Sequence, residues 1–166
     1  MQLETNRLLL QTLDLQLIEA AAKRDTLAIE ALGYKTNGEW PGQDFYEASP
    51  YFRELLMKNN GTRGFDSWIM VLKDTREIIG GIGFLGDPGP EGTVEIGFAT
   101  NESHRRQGYC LEATEQSLNW AENHPEVRRI TARCELENNG SKNILTKLGF
   151  KVDRTDEEII YWSYPK

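Results

Sequence analysis

Apolar positions along the chain fall into short runs whose spacing changes from one stretch to the next. Leu8, Leu9 and Leu10 sit inside a short segment, Arg7 to Gln11, bounded by polar residues, and this predicts a first strand. Leu17, Ile18, Ala21 and Ala22 then recur at helical spacing behind Asp14. Leu27, Ala28, Ala31 and Leu32 do the same behind Asp25, with Gly33 as a stop. The pattern predicts one broken helix or two short ones, opened by aspartate caps. From Gly33 to Pro50 periodicity lapses in a stretch rich in Gly, Pro, Asn and aromatics, which reads as a long irregular loop. A short helix through Tyr51, Phe52, Leu55 and Leu56 follows and ends at Asn59-Asn60-Gly61.

The second half is more regular. Trp68 to Leu72 and Ile78 to Phe84 are β-rich runs separated by five polar residues, so a hairpin is expected. After the Pro/Gly break at 87–92 comes another strand, Thr93 to Ala99. Between Gly108 and Asn123, Leu111, Thr114, Leu118 and Ala121 mark one face of a helix that His124-Pro125 closes. Ile130, Ala132, Cys134 and Leu136 alternate with polar residues, the signature of a strand with one buried face, so strand, helix and strand make a βαβ unit. A helix over Ser141 to Leu148, stopped by Gly149, and a hairpin of Phe150 to Val152 with Ile159 to Trp162 complete one domain over residues 1–166. This element order predicts an α/β sandwich around a mixed sheet.

Composition narrows the partners. The formal net charge is −7, from 19 Lys plus Arg against 26 Asp plus Glu, which argues against non-specific binding to nucleic-acid phosphates. No apolar run is long enough to span a bilayer and the N-terminal segment lacks a secretory pattern, so a cytoplasmic protein without membrane contact is expected. Cys110 and Cys134 form no CxxC pair, and His104 and His124 have no carboxylate or thiol at ligand spacing. No metal is expected.

The segment Glu95 to Cys110 carries the most chemistry. It runs strand, polar turn, then a basic and glycine-bearing helix start, Arg105-Arg106-Gln107-Gly108-Tyr109-Cys110. Unpaired N–H groups and the positive end of the helix dipole at such a start make an anion cradle that fits a pyrophosphate. Gly108 lets a phosphate approach the backbone, and Arg105 and Arg106 add positive charge. Taken alone, the same residues also read as a polar loop ending at a helix. Neither the P-loop nor the GxGxxG pattern is present.

A second segment, Glu137-Asn138-Asn139-Gly140-Ser141 running on to Lys147-Leu148-Gly149-Phe150, follows the next strand. Arg105-x-x-Gly108-x-Cys110 resembles the Arg/Gln-x-x-Gly-x-Gly/Ala motif of the GCN5-related N-acetyltransferase superfamily. Asn138-x-x-Ser141 resembles that superfamily's second cofactor segment, and Thr5-x-Arg7-Leu8-x-Leu10 the opening of its ribosomal-protein N-terminal acetyltransferase branch. Cys110 departs from the usual Gly or Ala, and its small size implies only tighter packing against the phosphates.

The resemblance implies a mostly antiparallel sheet with helices on both faces and one parallel strand pair that splays apart around the pantetheine of acetyl-coenzyme A. It implies that Phe98, Ala99 and Thr100 pair with the cofactor arm, that the Arg105 to Cys110 turn (Gln107 and Tyr109 included) holds the pyrophosphate, and that Asn138 and Asn143 add cofactor contacts. Ser141 would stand near the departing sulfur; read from its position alone, it is equally a helix cap. Glu95 shares a strand face with Gly97 and is either a general base for the amine or a surface carboxylate in an ion pair. The reaction implied is acetyl transfer to a primary amine, a small molecule or a protein N-terminus, by a monomer or homodimer. The alternative is a non-catalytic acyl-coenzyme A sensor. Trp40 and Tyr46 read as packing residues, while Glu39, Asp44 and Glu47 either attract a cationic acceptor or are simply solvated.

Overall fold

The computed structural model of the chain describes residues 1–165. Gln2–Glu4 (β1) pairs antiparallel with Leu8–Thr12 (β2). Three residues with one apolar side chain are too short for alternation to register, and β1 was not expected. Helices Leu15–Ala22 (α1) and Thr26–Ala31 (α2) open on their predicted caps: Asp14 accepts from the Leu17 amide at 2.8 Å and Asp25 from the Ala28 amide at 3.0 Å. They are two helices, with Arg24 in the left-handed region between them.

The expected loop from Gly33 to Pro50 is shorter than the sequence suggested. A 16-residue helix, Gln43–Lys58 (α3), runs through Pro50 and absorbs the short helix predicted from Tyr51 onward. Proline cannot donate to the carbonyl four residues back. That carbonyl belongs to Tyr46, and the buried Ser49 hydroxyl donates to it at 3.0 Å, so the acceptor is not orphaned. Phe45, Ser49, Phe52 and Leu56 lie on the inward face, and tertiary burial of that face outweighs the proline penalty.

Strands Ser67–Leu72 (β3), Ile78–Phe84 (β4) and Thr93–Thr100 (β5) continue the antiparallel meander. Helix Tyr109–Glu122 (α4) then crosses to Arg129–Glu135 (β6), which lies parallel to β5. Helix Asn139–Lys147 (α5) leads to the closing hairpin of Lys151–Thr155 (β7) and Ile159–Tyr164 (β8). The sheet order is β1-β2-β3-β4-β5-β6-β8-β7, mixed and mostly antiparallel as the resemblance implied.

Period-2 alternation sends neighbouring residues to opposite cores. Leu8, Leu10, Trp68, Met70 and Ile79 pack with Ala113, Leu118 and Leu145 of α4 and α5. Leu9, Ile69, Val71 and Ile78 pack with Leu17, Ile18, Ile29 and Leu56 of α1, α2 and α3. Each fully buried Leu or Ile is worth about 1.5–3 kcal/mol relative to exposure, so burial on both faces makes β2 to β4 the rigid floor of the fold. On β6, by contrast, Ile130, Ala132 and Cys134 face the core while Arg129, Arg133 and Glu135 are exposed. Among the described residues no helix is long and apolar enough to cross a membrane.

One buried carboxylate costs stability. Asp66, 5% exposed, accepts from the Thr62 hydroxyl at 2.6 Å through Oδ2, but its Oδ1 is buried without a partner. Burial pushes its carboxyl above the usual range, and nearby Asp87 adds to this against the lowering effect of Thr62 and the Arg63 amide. A raised carboxyl pKa means the folded state favours the proton, so stability is lost as pH rises through that pKa. Asp66→Asn is therefore expected to raise the melting temperature at pH 7–8, with the gain over wild type shrinking as the medium is acidified. A thermal melt at each pH checks this, and a lower melting temperature at pH 8 would contradict it.

Candidate active site

The parallel pair is joined only at its lower end. Thr93, Val94 and Glu95 pair with Arg129, Ile130 and Thr131; beyond them β5 continues to Thr100 and β6 to Glu135 unpaired to each other. The strands therefore open into a gap directly after Glu95. On its other edge β5 stays laddered to β4, with Leu85 N–H donating to the Glu95 carbonyl at 3.0 Å and Asn101 N–H to the Ile79 carbonyl at 2.8 Å. Antiparallel alternation then turns the main-chain groups of Gly97 and Ala99 toward β4 and those of Phe98 and Thr100 into the gap. Of the three residues expected to pair with a cofactor arm, Phe98 offers its N–H and carbonyl, Thr100 turns its N–H into the gap while its carbonyl accepts from Arg105, and Ala99 is laddered to β4.

At the top of β5 the chain makes a compact turn. Residues Glu102–His104 form a single 3₁₀ turn, and α4 starts at Gly108, whose φ of +82° is in the left-handed region, as is Arg106 at +62°. Arg105 Nε donates to the Thr100 carbonyl at 3.1 Å, and the Gln107 side-chain amide to the Ser103 carbonyl at 3.1 Å, so both side chains fold the turn rather than project from it. Arg106 is exposed and has no ion-pair partner among the described residues. No side chain caps the first turn of α4, which leaves its N–H groups available to an anion. Cys110 is a free thiol beside Thr100 and Thr114; burial pushes it up against the lowering effect of both hydroxyls, so it remains neutral.

The second segment approaches from β6. Asn138 is the cap of α5: its Oδ1 accepts from the Ser141 amide at 2.9 Å. The cap reading of Ser141 is thereby replaced, because Ser141 sits in the third position of the helix and another residue holds the cap. Asn143 is exposed further along α5. On β5, Val94 and Ile96 join the core under α4, so Glu95 and Gly97 face the opposite side. There Glu95 Oε1 accepts from Arg133 Nε at 2.8 Å, and no atom lies within 4 Å of where a Gly97 Cβ would stand. A shallow groove of about 350 Å³ runs along this face, lined by Thr93, Glu95, Arg129, Thr131, Asp153 and Tyr161.

Residues 7–151 match the family described as Acetyltransferase (GNAT) domain. The chain belongs to that family. YjdG of Bacillus subtilis strain 168, an uncharacterized N-acetyltransferase, is 61% identical over 162 residues, 98% of this chain and 96% of that protein. The ribosomal-protein-serine acetyltransferase of Escherichia coli K12 is 31% identical over 91 residues, covering 55% of this chain and 50% of its own length. RimL, the ribosomal L7/L12 alpha-N-protein acetyltransferase solved in complex with coenzyme A, superimposes with a TM-score of 0.73 at 14% identity, over 99% of this chain and 97% of that one. With the family comes the class of enzyme: this is an acyltransferase with the GNAT fold.

In this acetyltransferase several residues near the gap were not singled out in the sequence. Arg133, the partner of Glu95, was readable from alternation, since it shares the outward face of β6. Arg7 and Glu112 were hidden by more than a hundred residues of separation, although Arg7 lay within a noted motif. The loop before α3 reaches the turn at the top of β5: Ser103 N–H donates to Glu39 at 3.1 Å and Asn37 Nδ2 to the Ser103 hydroxyl at 3.1 Å. The Ser103 hydroxyl and then its amide hold the Glu39 carboxyl below its usual range. Asp44 and Glu47 lie instead on exposed turns of α3, and Trp40 is buried in the core. A larger groove of about 790 Å³, between the start of α1 and the end of α3, contains none of the predicted site residues. Among the described residues no group of three or more His, Cys, Asp or Glu gathers as a metal site.

Proposed function

We propose that the protein transfers an acetyl group from acetyl-coenzyme A to a primary amine. The observation that carries this reading is the β5–β6 gap, which begins at Glu95 and ends beside an uncapped helix start with glycine at its head. Pantetheine would lie in the gap and pair with the main-chain N–H and carbonyl of Phe98 and the N–H of Thr100 as an added strand, the Thr100 carbonyl being held by Arg105. The pyrophosphate would rest on the N–H groups from Gly108 to Cys110, with Arg106 free to meet a phosphate. Asn138 Nδ2, not used by the cap, and Asn143 would serve the cofactor arm.

The amine nitrogen attacks the thioester carbonyl carbon, the carbonyl carries the developing negative charge, and the C–S bond breaks as the tetrahedral intermediate collapses. Glu95, directly or through a water, takes the proton that the attacking nitrogen sheds; Ser141 gives its hydroxyl proton to the leaving thiolate and regains one from solvent. The open space over Gly97, next to Glu95, supports approach of the acceptor from the face opposite α4. Protein N-termini are one acceptor class, in keeping with the relatives named for ribosomal proteins, and small-molecule amines are the other.

Release of free thiol from acetyl-coenzyme A, followed with a panel of peptides and small primary amines, tests the reading. Amine-dependent release is expected for at least one acceptor; binding of the cofactor with no release on any would defeat it. For Glu95→Gln, kcat is expected to fall about 10²-fold with little change in cofactor affinity. A variant that keeps the wild-type kcat would leave Glu95 as the partner of Arg133 and nothing else.

A further inference from the structure

Resting on the cofactor reading above, we infer that Arg7 is a positioning residue of the anion cradle: clamped by Glu112, it aims the Gly108 amide at the pyrophosphate. Arg7 stands just before β2, far along the chain from the first turn of α4, yet the two are bound by a dense set of contacts. Glu112 accepts from the Thr5 hydroxyl at 2.5 Å, the Arg7 amide at 2.9 Å and Arg7 Nε at 2.7 Å. Arg7 Nη1 donates to the Gln107 carbonyl at 2.9 Å, and its guanidinium lies 4.3 Å above the Tyr109 ring. The Thr5–Arg7 segment is itself pinned to the end of β3, with Lys73 Nζ donating to the Thr5 carbonyl at 2.6 Å and Lys73 N–H to the Arg7 carbonyl at 3.0 Å.

The bond to Gln107 is the one with consequences for binding. In a trans peptide the carbonyl and the following N–H point in opposite directions. Holding the Gln107 carbonyl toward Arg7 therefore turns the Gly108 N–H away from it, outward from the helix start. The turn needs such a hold, because Arg106, a non-glycine residue, has φ in the left-handed region, a conformation local propensity does not maintain. The approach is close enough that a Gly108 Cβ would stand 3.3 Å from Arg7 Nη2.

Charge gives Arg7 a second effect on the same site. Glu112 is the acidic residue of the first turn of α4, a placement that suits the helix dipole but opposes an incoming phosphate. Burial raises its carboxyl, and the Thr5 hydroxyl with the Arg7 amide and guanidinium outweighs that, keeping it ionised. The Arg7 guanidinium neutralises this charge next to the cradle. Lysine at position 7 would preserve the charge but lacks the fork that reaches Glu112 and Gln107 together.

The test is calorimetric titration of wild type, Arg7→Ala, Arg7→Lys and the double variant Arg7→Ala/Glu112→Gln, with coenzyme A, dephospho-coenzyme A and pantetheine, each beside a thermal melt. Arg7→Ala and Arg7→Lys are expected to weaken coenzyme A and dephospho-coenzyme A by the same factor, about 10- to 100-fold, and to leave pantetheine, which has no pyrophosphate, unaffected. The double variant is expected to recover only part of the loss, since removing the Glu112 charge does not restore the hold on Gln107. Equal affinity in wild type and both single variants, whatever the melts show, would overturn the inference and leave the cofactor reading standing. Loss confined to coenzyme A would overturn it in favour of a direct contact with the 3′-phosphate. A wild type that binds neither nucleotide form would overturn the cofactor reading and this inference together.

Discussion

Gly108→Glu is expected to lose coenzyme A affinity by at least about 100-fold while keeping a native circular dichroism spectrum. Two like charges about 4 Å apart cost about 4 kcal/mol at an effective dielectric constant of about 20, on the order of 10³-fold in affinity, and solvent exposure of the turn reduces that. The fold should survive, because the position is exposed at the start of α4 and carries none of its core contacts. Some strain is unavoidable, since φ is +82°. Gly108→Ala isolates that part: left-handed backbone and the approach to Arg7 Nη2 cost about 1–3 kcal/mol of stability without adding charge. Titration should therefore rank wild type, then alanine, then glutamate. If glutamate binds coenzyme A as wild type does, the helix start is not the pyrophosphate site.

Ser141→Ala is expected to lower kcat by about 10²–10⁴-fold, the usual worth of general acid help, with little change in cofactor affinity or melting temperature. The stability half of this expectation comes from the capping geometry. Asn138 Oδ1, not the serine hydroxyl, accepts from the first turn of α5, so alanine at 141 removes no cap. Asn138→Ala is the matching control and should cost about 1 kcal/mol of stability. Steady-state rates beside thermal melts separate the two residues. Normal turnover in Ser141→Ala would mean that the thiolate takes its proton from water.

The local elements were legible wherever one physical signal dominated. Alternation on β6 identified its buried face, Asp14 and Asp25 marked two helix starts, and the glycine-bearing basic turn marked the head of α4. The same reasoning stopped short at α3, where Pro50 and a run of Gly, Asn and Pro before it outweighed a weak apolar stripe. The stripe wins in the folded chain because Phe45, Phe52 and Leu56 bury against a sheet that no local window contains, and Ser49 takes up the carbonyl that proline cannot serve.

At the site the division is similar. Residue types and their order along the chain were enough to nominate the Arg105 to Cys110 turn and Glu95, because glycine, arginine and carboxylate side chains carry their chemistry in short motifs, whereas Asn138 and the leaving-group role of Ser141 came from the family resemblance. Direction was not readable. That Phe98 and Thr100, but not Ala99, turn their backbones into the gap follows from the hydrogen-bonding register of β5 on β4. That Asn138 caps α5 and frees Ser141 follows from backbone angles at the β6–α5 junction. The Arg7–Glu112 clamp joins two segments that only the crossing of α4 over the sheet brings together. By itself the sequence determined which faces are buried on its regular elements and nominated candidates for binding phosphate and moving a proton, since these depend on local period and side-chain chemistry. Only the tertiary structure decided which backbone groups are left unpaired and which side chains meet, because both depend on contacts between residues far apart in the chain.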